Sequence, residues 1–351
     1  MVLDEFQSYV KPSNKILITG HTGFKGTWLT LLLERLGYEV CGISLEAETD
    51  SLFSNLKRKG SIQEEFLDIR NRHSLMNTLG EMKPSIIFHM AAQPLVLKSY
   101  KEPVETFETN ALGTANLLDA AMRTNSIEAI SVITTDKVYA NNNSGIKFKE
   151  SDPLFGKDPY SASKVATESV VAAWQQMKRT SSGPVITAFR AGNVIGGGDH
   201  AENRLLPDLV KGFIRQETVD IRNGKSTRPW QHALDPIAGY LLATAHNLLY
   251  DDFDAMNFAP DGDSLSVERV AEIACKSWGD GAKVKITNEN SKLEAQTLQL
   301  DSSLAREKLN WKPSWTQTEA VEATVEWWLY VSRKERTIME ACEADLDRLL
   351  K

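Results

Sequence analysis

The sequence predicts an α/β fold built on a doubly wound parallel sheet, followed by a smaller, mixed α/β lobe. Three observations carry that reading: short apolar runs recur through the first half, segments with apolar residues at helical spacing separate them, and a glycine-rich turn joins the first pair. "KILITG" (residues 15–20) is the first strand. Leu29, Leu32, Leu33 and Leu36 then repeat at helical period until Gly37 stops the helix. "EVCGIS" (39–44) reads as a second strand, a short third one precedes "LDIR", and "SIIFHMAA" (85–92) and "AISVITT" (129–135) follow. Between the last two, Val104, Phe107, Ala111, Ala115, Leu118 and Ala121 recur near helical period, which predicts one helix over residues 103–124. Strands alternating with helices imply parallel pairing through right-handed crossovers. A further helix runs from "DPYSASK" to residue 179, and "PVITAFRAGNV" (184–194) resumes the strand pattern. Beyond Gly196 the alternation gives way to loops, with helices near 207–215, 236–249 and 267–278. The expected division is therefore a dinucleotide-binding domain over residues 1–195, with a return segment near 225–260, and a second lobe formed mainly by 196–351.

Composition narrows the class. A chain of 351 residues with 42% hydrophobic and 25% charged residues is an ordinary globular protein. A net charge of −7 and the lack of a lysine/arginine cluster argue against nucleic acid or an anionic membrane as partners. Cys41, Cys275 and Cys342 are far apart, with no CxxC pair and no histidine at metal-ligand spacing, so free thiols in the cytoplasm and no metal site are expected. No run approaches the roughly 20 apolar residues of a membrane span, and the first residues lack the apolar core of a signal peptide.

Gly20, Gly23 and Gly26 form G-x-x-G-x-x-G between the first strand and its helix. Glycines there allow the tight turn and let a pyrophosphate approach the amides of the helix N-terminus, whose partial positive charge favours an anion. This is the phosphate loop of a Rossmann-type domain. The second strand ends at Ser44-Leu45 with Glu46 just beyond and no arginine for an extra phosphate, which favours NAD over NADP. The loop spacing resembles that of the extended short-chain dehydrogenase/reductase superfamily, and the resemblance implies that Asp68, after the third strand, lies against the adenine.

"YSASK" puts Tyr160 and Lys164 four residues apart, on one helical face. A tyrosine is too weakly acidic to serve as a base at neutral pH, but a nearby ammonium and a positive nicotinamide ring both favour its phenolate. Tyr160 can then take the proton of a sugar hydroxyl as hydride leaves the carbon, with Thr135 bonded to the same hydroxyl. Asp136 and Lys137 follow at the carboxyl end of a strand, where open α/β sheets collect ligands. A simple dehydrogenase needs no second acid and base, so the pair points to a reaction that continues after oxidation.

"GHTGFKGTWL", "HMAAQPLV", "TTDKVY", "DPYSASK", "RAGNVIGGGD", "RLLPD" and "RPWQH" resemble, in order and spacing, the CDP-glucose 4,6-dehydratases of the extended short-chain dehydrogenase/reductase superfamily, over residues 15–327. The resemblance implies oxidation of the sugar at C4 by NAD, loss of water across C5 and C6 through Asp136 and Lys137, and return of the hydride to C6. It implies that Thr22, Phe24, Ile69, Ala91, Ala92, Asn110 and Thr134 join Gly20, Gly23, Gly26, Asp68, Tyr160 and Lys164 around the cofactor. It places Asn193, Arg228 and Asn257 at the substrate's diphosphate, with Arg204, Trp230 and His232 as further contacts. A homodimer through the helices at 103–124 and 160–179 is also implied. Departures from the family pattern are Leu97 in place of an arginine, His200 in place of a tryptophan, and the loop "ANNNSGIKFKE". The alternatives are a UDP- or dTDP-linked 4,6-dehydratase, a 4-epimerase, and a non-catalytic NAD-binding scaffold. An epimerase needs no elimination pair and a scaffold needs neither Tyr160 nor Lys164.

Overall fold

A computed structural model of the chain describes residues 3–143, 145–180, 183–287 and 297–351. Seven parallel strands form its central sheet: β1 (Lys15–Thr19), β2 (Glu39–Ser44), β3 (Gln63–Phe66), β4 (Ile86–His89), β5 (Ala129–Ile133), β6 (Val185–Ala191) and β7 (Ala255–Phe258). They lie in the order β7-β6-β5-β4-β1-β2-β3. The sequence explains why both faces are covered: along β1, Ile16 and Ile18 enter one apolar cluster while Leu17 enters another. Near-continuous apolar runs of this kind suit a parallel sheet with helices on each side. Helix α1 (Phe24–Arg35) packs Trp28, Leu29 and Leu32 on the first face. Helices α2 (Arg72–Met82) and α3 (Gly113–Met122) bring Leu75, Leu79, Leu117 and Leu118 to the second.

Strand order reverses between β1 and β4, so the crevice at the carboxyl ends of the sheet opens there. Helix α4 (Pro159–Thr180) precedes β6 and starts at Asp158, whose Oδ1 accepts the Ser161 N–H at 2.9 Å, with Pro159 in the first turn. Helices α5 (Leu205–Arg215) and α6 (Leu234–Tyr250) follow, and β7 adds itself to the sheet beside β6 with Asn257 opposite Arg190.

The remaining strands are short pairs: Asn193–Ile195 with Trp230–His232, Thr227–Arg228 with Leu265–Ser266, Thr218–Arg222 with Lys283–Thr287, and Lys147–Phe148 with Gln299–Leu300. Helices α7 (Val267–Trp278), α8 (Gln317–Ser332) and α9 (Ile338–Leu350) complete the chain. The last two each begin at a capping box, Thr316 with Glu319 and Thr337 with Glu340. Trp278, Trp311, Trp315, Val321 and Val325 share one continuous apolar cluster with Ile16, Ile18 and Trp28, so the later segments are packed onto one face of the sheet.

The helix expected over 103–124 is one continuous helical run with a π-helical turn at Glu108–Leu112 between Pro103–Phe107 and α3. A β-carbon on Gly113 would sit 2.6 Å from the Ile69 side chain, and the wider turn carries Asn110 into the interior. Strands expected to continue to residues 92 and 135 stop at His89 and Ile133, leaving the polar ends as loops over the crevice. No helix among the described residues is long and apolar enough to cross a membrane.

Candidate active site

The glycine loop is shaped by close approach. Gly20 has φ +77°, and a β-carbon there would lie 2.8 Å from the Ala91 nitrogen at the end of β4. A β-carbon on Gly26 would fall on the Gly20 carbonyl, so helix and loop meet only because both residues are glycine. Thr22 ties the loop to the end of β2, with its hydroxyl 2.6 Å from Ser44 Oγ and 3.2 Å from the Leu45 carbonyl. Gly23 is the exposed N-cap of α1 and supplies no side-chain cap, which leaves amides at the helix N-terminus for an anion. Phe24 and Ala91 and Ala92 are half-buried beside this turn.

At the outer strands, Glu46 receives both of its 3.0 Å bonds from Lys59. Asp68 accepts from the Arg70 backbone at 2.8 Å and from its guanidinium at 2.9 Å, and that guanidinium holds the carboxyl below its ordinary pKa. Ile69 is buried against Gly113.

Thr135, Asp136 and Lys137 form the turn beyond β5. The Thr135 hydroxyl caps it by accepting the Lys137 N–H at 3.3 Å and donates to Asp136 Oδ1 at 3.0 Å. Asp136 is only 1% exposed, and its Oδ2 has no hydrogen-bond partner among the described residues. Burial pushes its carboxyl pKa up, while Lys137, Thr135 and Arg228 pull it back. Lys137 reaches over the ring of Tyr160, with Nζ 5.9 Å from the centroid. The strand, the turn and α4 thus bring Thr135, Asp136, Lys137 and Tyr160 together.

Tyr160 is pushed up to about 12 by burial, against the downward pull of the Thr135 hydroxyl. Lys164 directs its ammonium at the Ile133 carbonyl, 3.1 Å away, and burial lowers its pKa to about 8. The lysine alone therefore does not bring the phenol near neutral pH, and Tyr160 is a neutral phenol in the chain by itself.

Behind this turn lies a buried polar network that supports it. Glu168 on α4 accepts from Thr134 Oγ1 at 2.5 Å and from Arg190 Nε and Nη2 at 2.9 and 2.8 Å. Arg190 Nη1 donates to the Tyr139 hydroxyl at 2.8 Å, which donates to Asn257 Oδ1 at 2.7 Å. Asn257 Nδ2 donates to the carbonyls of Phe148 and Asp301 at 3.0 and 3.2 Å. Asn257, expected at a diphosphate, is fully buried here and its amide bonds these scaffold groups.

His232 is likewise enclosed. It is fully buried, stacked on Trp315 at 4.3 Å and edge-on to Trp28 at 6.0 Å, with Asp345 3.3 Å from its Nε2. Asn110 clamps the Gln93 backbone, accepting at 2.8 Å and donating at 3.1 Å, and donates to Ser163 of α4 at 2.9 Å. It and Thr134 hold elements in place instead of facing a cofactor. Trp230 is buried, its indole bonded to the Leu265 carbonyl at 3.2 Å.

The other substrate candidates stay near the turn. Arg228 is buried and its charge acts on Asp136. Arg204 precedes α5, holds Asp199 at 3.0 Å, and exerts its charge on Tyr160. Asn193 is half-buried at the start of its short strand. A residue absent from the sequence expectations is Lys25, whose surroundings include Lys164, Arg204 and Asp136. Its signal was a lysine in the first turn of a helix, where the dipole disfavours a cation.

A glycine loop and a tyrosine–lysine helix at the switch point of this sheet define a protein of the short-chain dehydrogenase/reductase kind. The chain belongs to the GDP-mannose 4,6 dehydratase family, whose model matches residues 17–324. It is 40% identical over 324 residues to the CDP-glucose 4,6-dehydratase of Salmonella typhimurium, covering 89% of this chain and 90% of that one. It is 25% identical to the human GDP-mannose 4,6 dehydratase, covering 90% and 91%. Among solved structures, the dTDP-glucose 4,6-dehydratase of Streptomyces venezuelae with NAD and TYD bound has a TM-score of 0.77 at 24% identity, covering 92% and 98%. The UDP-glucose 4-epimerase of Thermotoga maritima has 0.78 at 21%, covering 92% and 100%, and is similar in fold.

Proposed function

We propose that this protein is an NAD-dependent nucleotide-sugar 4,6-dehydratase acting on CDP-glucose, with CDP-4-keto-6-deoxy-glucose as product. The observation that carries the reaction is the buried carboxyl of Asp136 and the side-chain nitrogen of Lys137 on one turn beside Tyr160. The 40% identity to a CDP-glucose enzyme supports the nucleotide. The residues present fit NAD: the loop at Gly20 has no room for a side chain, the N-terminus of α1 carries no side-chain cap, and Asp136 buries an unpartnered oxygen close by.

NAD, which the glycine loop at Gly20, Gly23 and Gly26 would hold, would supply the acceptor and later the donor of the hydride exchanged between sugar C4 and C6. Tyr160 takes the C4 hydroxyl proton, and Thr135 bonds the same oxygen and so orients it. The resulting C4 ketone acidifies the C5 proton, which passes to Lys137 acting as the neutral amine. Asp136, whose pKa burial raises, acts in its protonated form and gives its proton to the departing C6 hydroxyl, which leaves as water. A proton then returns to C5. Arg228 and Arg204 bring positive charge for the substrate's diphosphate.

The test is incubation with CDP-glucose, UDP-glucose and UDP-N-acetylglucosamine without added cofactor. A base-labile, absorbing 4-ketone from CDP-glucose is expected; turnover confined to a UDP sugar overturns the nucleotide, and a C4 epimer overturns the dehydration. Lys137→Met is expected to slow exchange of the C5 hydrogen with deuterated solvent by on the order of 100-fold, and Asp136→Asn to leave that exchange while blocking water loss. Normal elimination by Lys137→Met removes the lysine from the role of base.

The same reading places the protein in the cytoplasm, where the free thiols of Cys41, Cys275 and Cys342 stay reduced. It also includes a homodimer. Leu97, Tyr100, Val104, Phe107 and Leu112 are exposed on the segments before α3, with Val104 at 70%, and such a contiguous apolar face suits a partner copy. Light scattering is expected to give twice the chain mass, and Val104→Glu to give a monomer; an unchanged mass removes this face from the interface.

A further inference from the structure

We propose that Lys25 is a ligand-binding residue of the cleft, whose ammonium takes an oxygen of a diphosphate. This deepens the nucleotide-sugar reading and rests on it.

Lys25 is the second residue of α1, where the helix dipole opposes a cation. Local structure gives no compensation. Among the described residues Lys25 forms no ion pair; its ammonium lies 5.7 Å from the centroid of the Tyr240 ring, and the Tyr240 hydroxyl is buried without a partner. The charges that act on it come from four directions in the fold: Lys164 on α4, Arg204 ahead of α5, Asp136 beyond β5, and its own helix. Arg204 is paired with Asp199 and Lys164 bonds the Ile133 carbonyl, whereas the acid that acts on Lys25 is Asp136, already bonded by Thr135.

A half-buried ammonium in such company is unfavourable unless an anion joins it. Burial, then Lys164 and Arg204, bring Lys25 down to about 7, so the chain alone holds that charge weakly. A second, independent observation marks the same place as a ligand site: Asp136, which acts on Lys25, is 1% exposed and leaves Oδ2 without a partner. The adjoining N-terminus of α1 carries no side-chain cap, and its amides favour phosphate oxygens. Both ligands of the proposed reaction, the dinucleotide and the nucleotide sugar, carry a diphosphate.

The experiment measures binding of NAD and of CDP separately, by titration calorimetry, to the wild-type chain, Lys25→Met and Lys25→Arg. Lys25→Met is expected to weaken one of the two by about 10-fold or more, the scale of a hydrogen bond to a charged group, and Lys25→Arg to retain most of the affinity. Loss confined to NAD assigns the cofactor's diphosphate; loss confined to CDP assigns the substrate's. From about one unit below neutrality to about one unit above, wild-type affinity is expected to fall more than that of Lys25→Arg, because only lysine loses its proton there. Lys164 titrates in both proteins and cancels in the comparison.

A folded Lys25→Met that binds both ligands like the wild type overturns the inference and leaves the function standing. A wild-type chain that binds neither overturns both. If Lys25→Met does not fold, Lys25→Gln takes its place with the same expectations.

Discussion

Tyr160→Phe is expected to lower turnover of CDP-glucose by about 100- to 10,000-fold, the usual contribution of a positioned acid or base, with NAD affinity close to that of the wild type. In the proposed mechanism the phenol meets the C4 hydroxyl, and the substitution removes one oxygen from a buried ring. With the phenol pushed up to about 12 by burial, activity of the wild type is expected to rise with pH through the neutral range as the base form becomes populated. Positive charge from a bound nicotinamide shifts that rise to lower pH, so the pH–rate profile measured with substrate should lie well below the tyrosine's own value. Steady-state assay of the ketone together with NAD titration checks both parts. Retention of more than about a tenth of wild-type turnover in Tyr160→Phe removes it as the base.

Glu168→Ala is the second large effect, and it acts on stability. Glu168 and Arg190 are each about 5% exposed and joined at 2.8 Å, and removing the carboxylate leaves the guanidinium buried with only the Tyr139 hydroxyl and the Glu150 carbonyl as acceptors. Breaking such a pair costs about 3–5 kcal/mol, a large share of the roughly 5–15 kcal/mol that holds a typical domain folded. Urea unfolding is expected to show that loss. The double variant Glu168→Leu, Arg190→Met is expected to recover a good part of it, because no charge is then stranded. Equal stability of Glu168→Ala and the wild type contradicts the assignment. Turnover should fall in the single variant as well, since Glu168 holds Thr134, the neighbour of Thr135, through a 2.5 Å bond.

That network shows where sequence reading reached its limit. Thr134, Asn110, Asn257 and His232 all stand in or beside motifs that point to a ligand, and all four turn inward. Sequence position brought them to the correct end of the sheet. The direction of each side chain depended on partners about 17 to 204 residues away, such as Gln93 for Asn110, Tyr139 for Asn257 and Trp28 for His232. Lys25 was hidden for the converse reason: its neighbour in the motif is glycine, while the charges that give it meaning come from Lys164 and Arg204.

The sequence by itself determined the strand and helix alternation, the glycine turn, and the four-residue spacing of Tyr160 and Lys164. These are local properties: periodicity follows from which face of an element must be apolar, and residues four apart share a helical face without help from the rest of the chain. Only the tertiary structure decided that helix 103–124 contains a π turn, that Asp136 is buried with a raised pKa, and which polar residues face the crevice. Burial and charge are sums over neighbours distant in sequence, and they take their values only when the sheet brings those neighbours together.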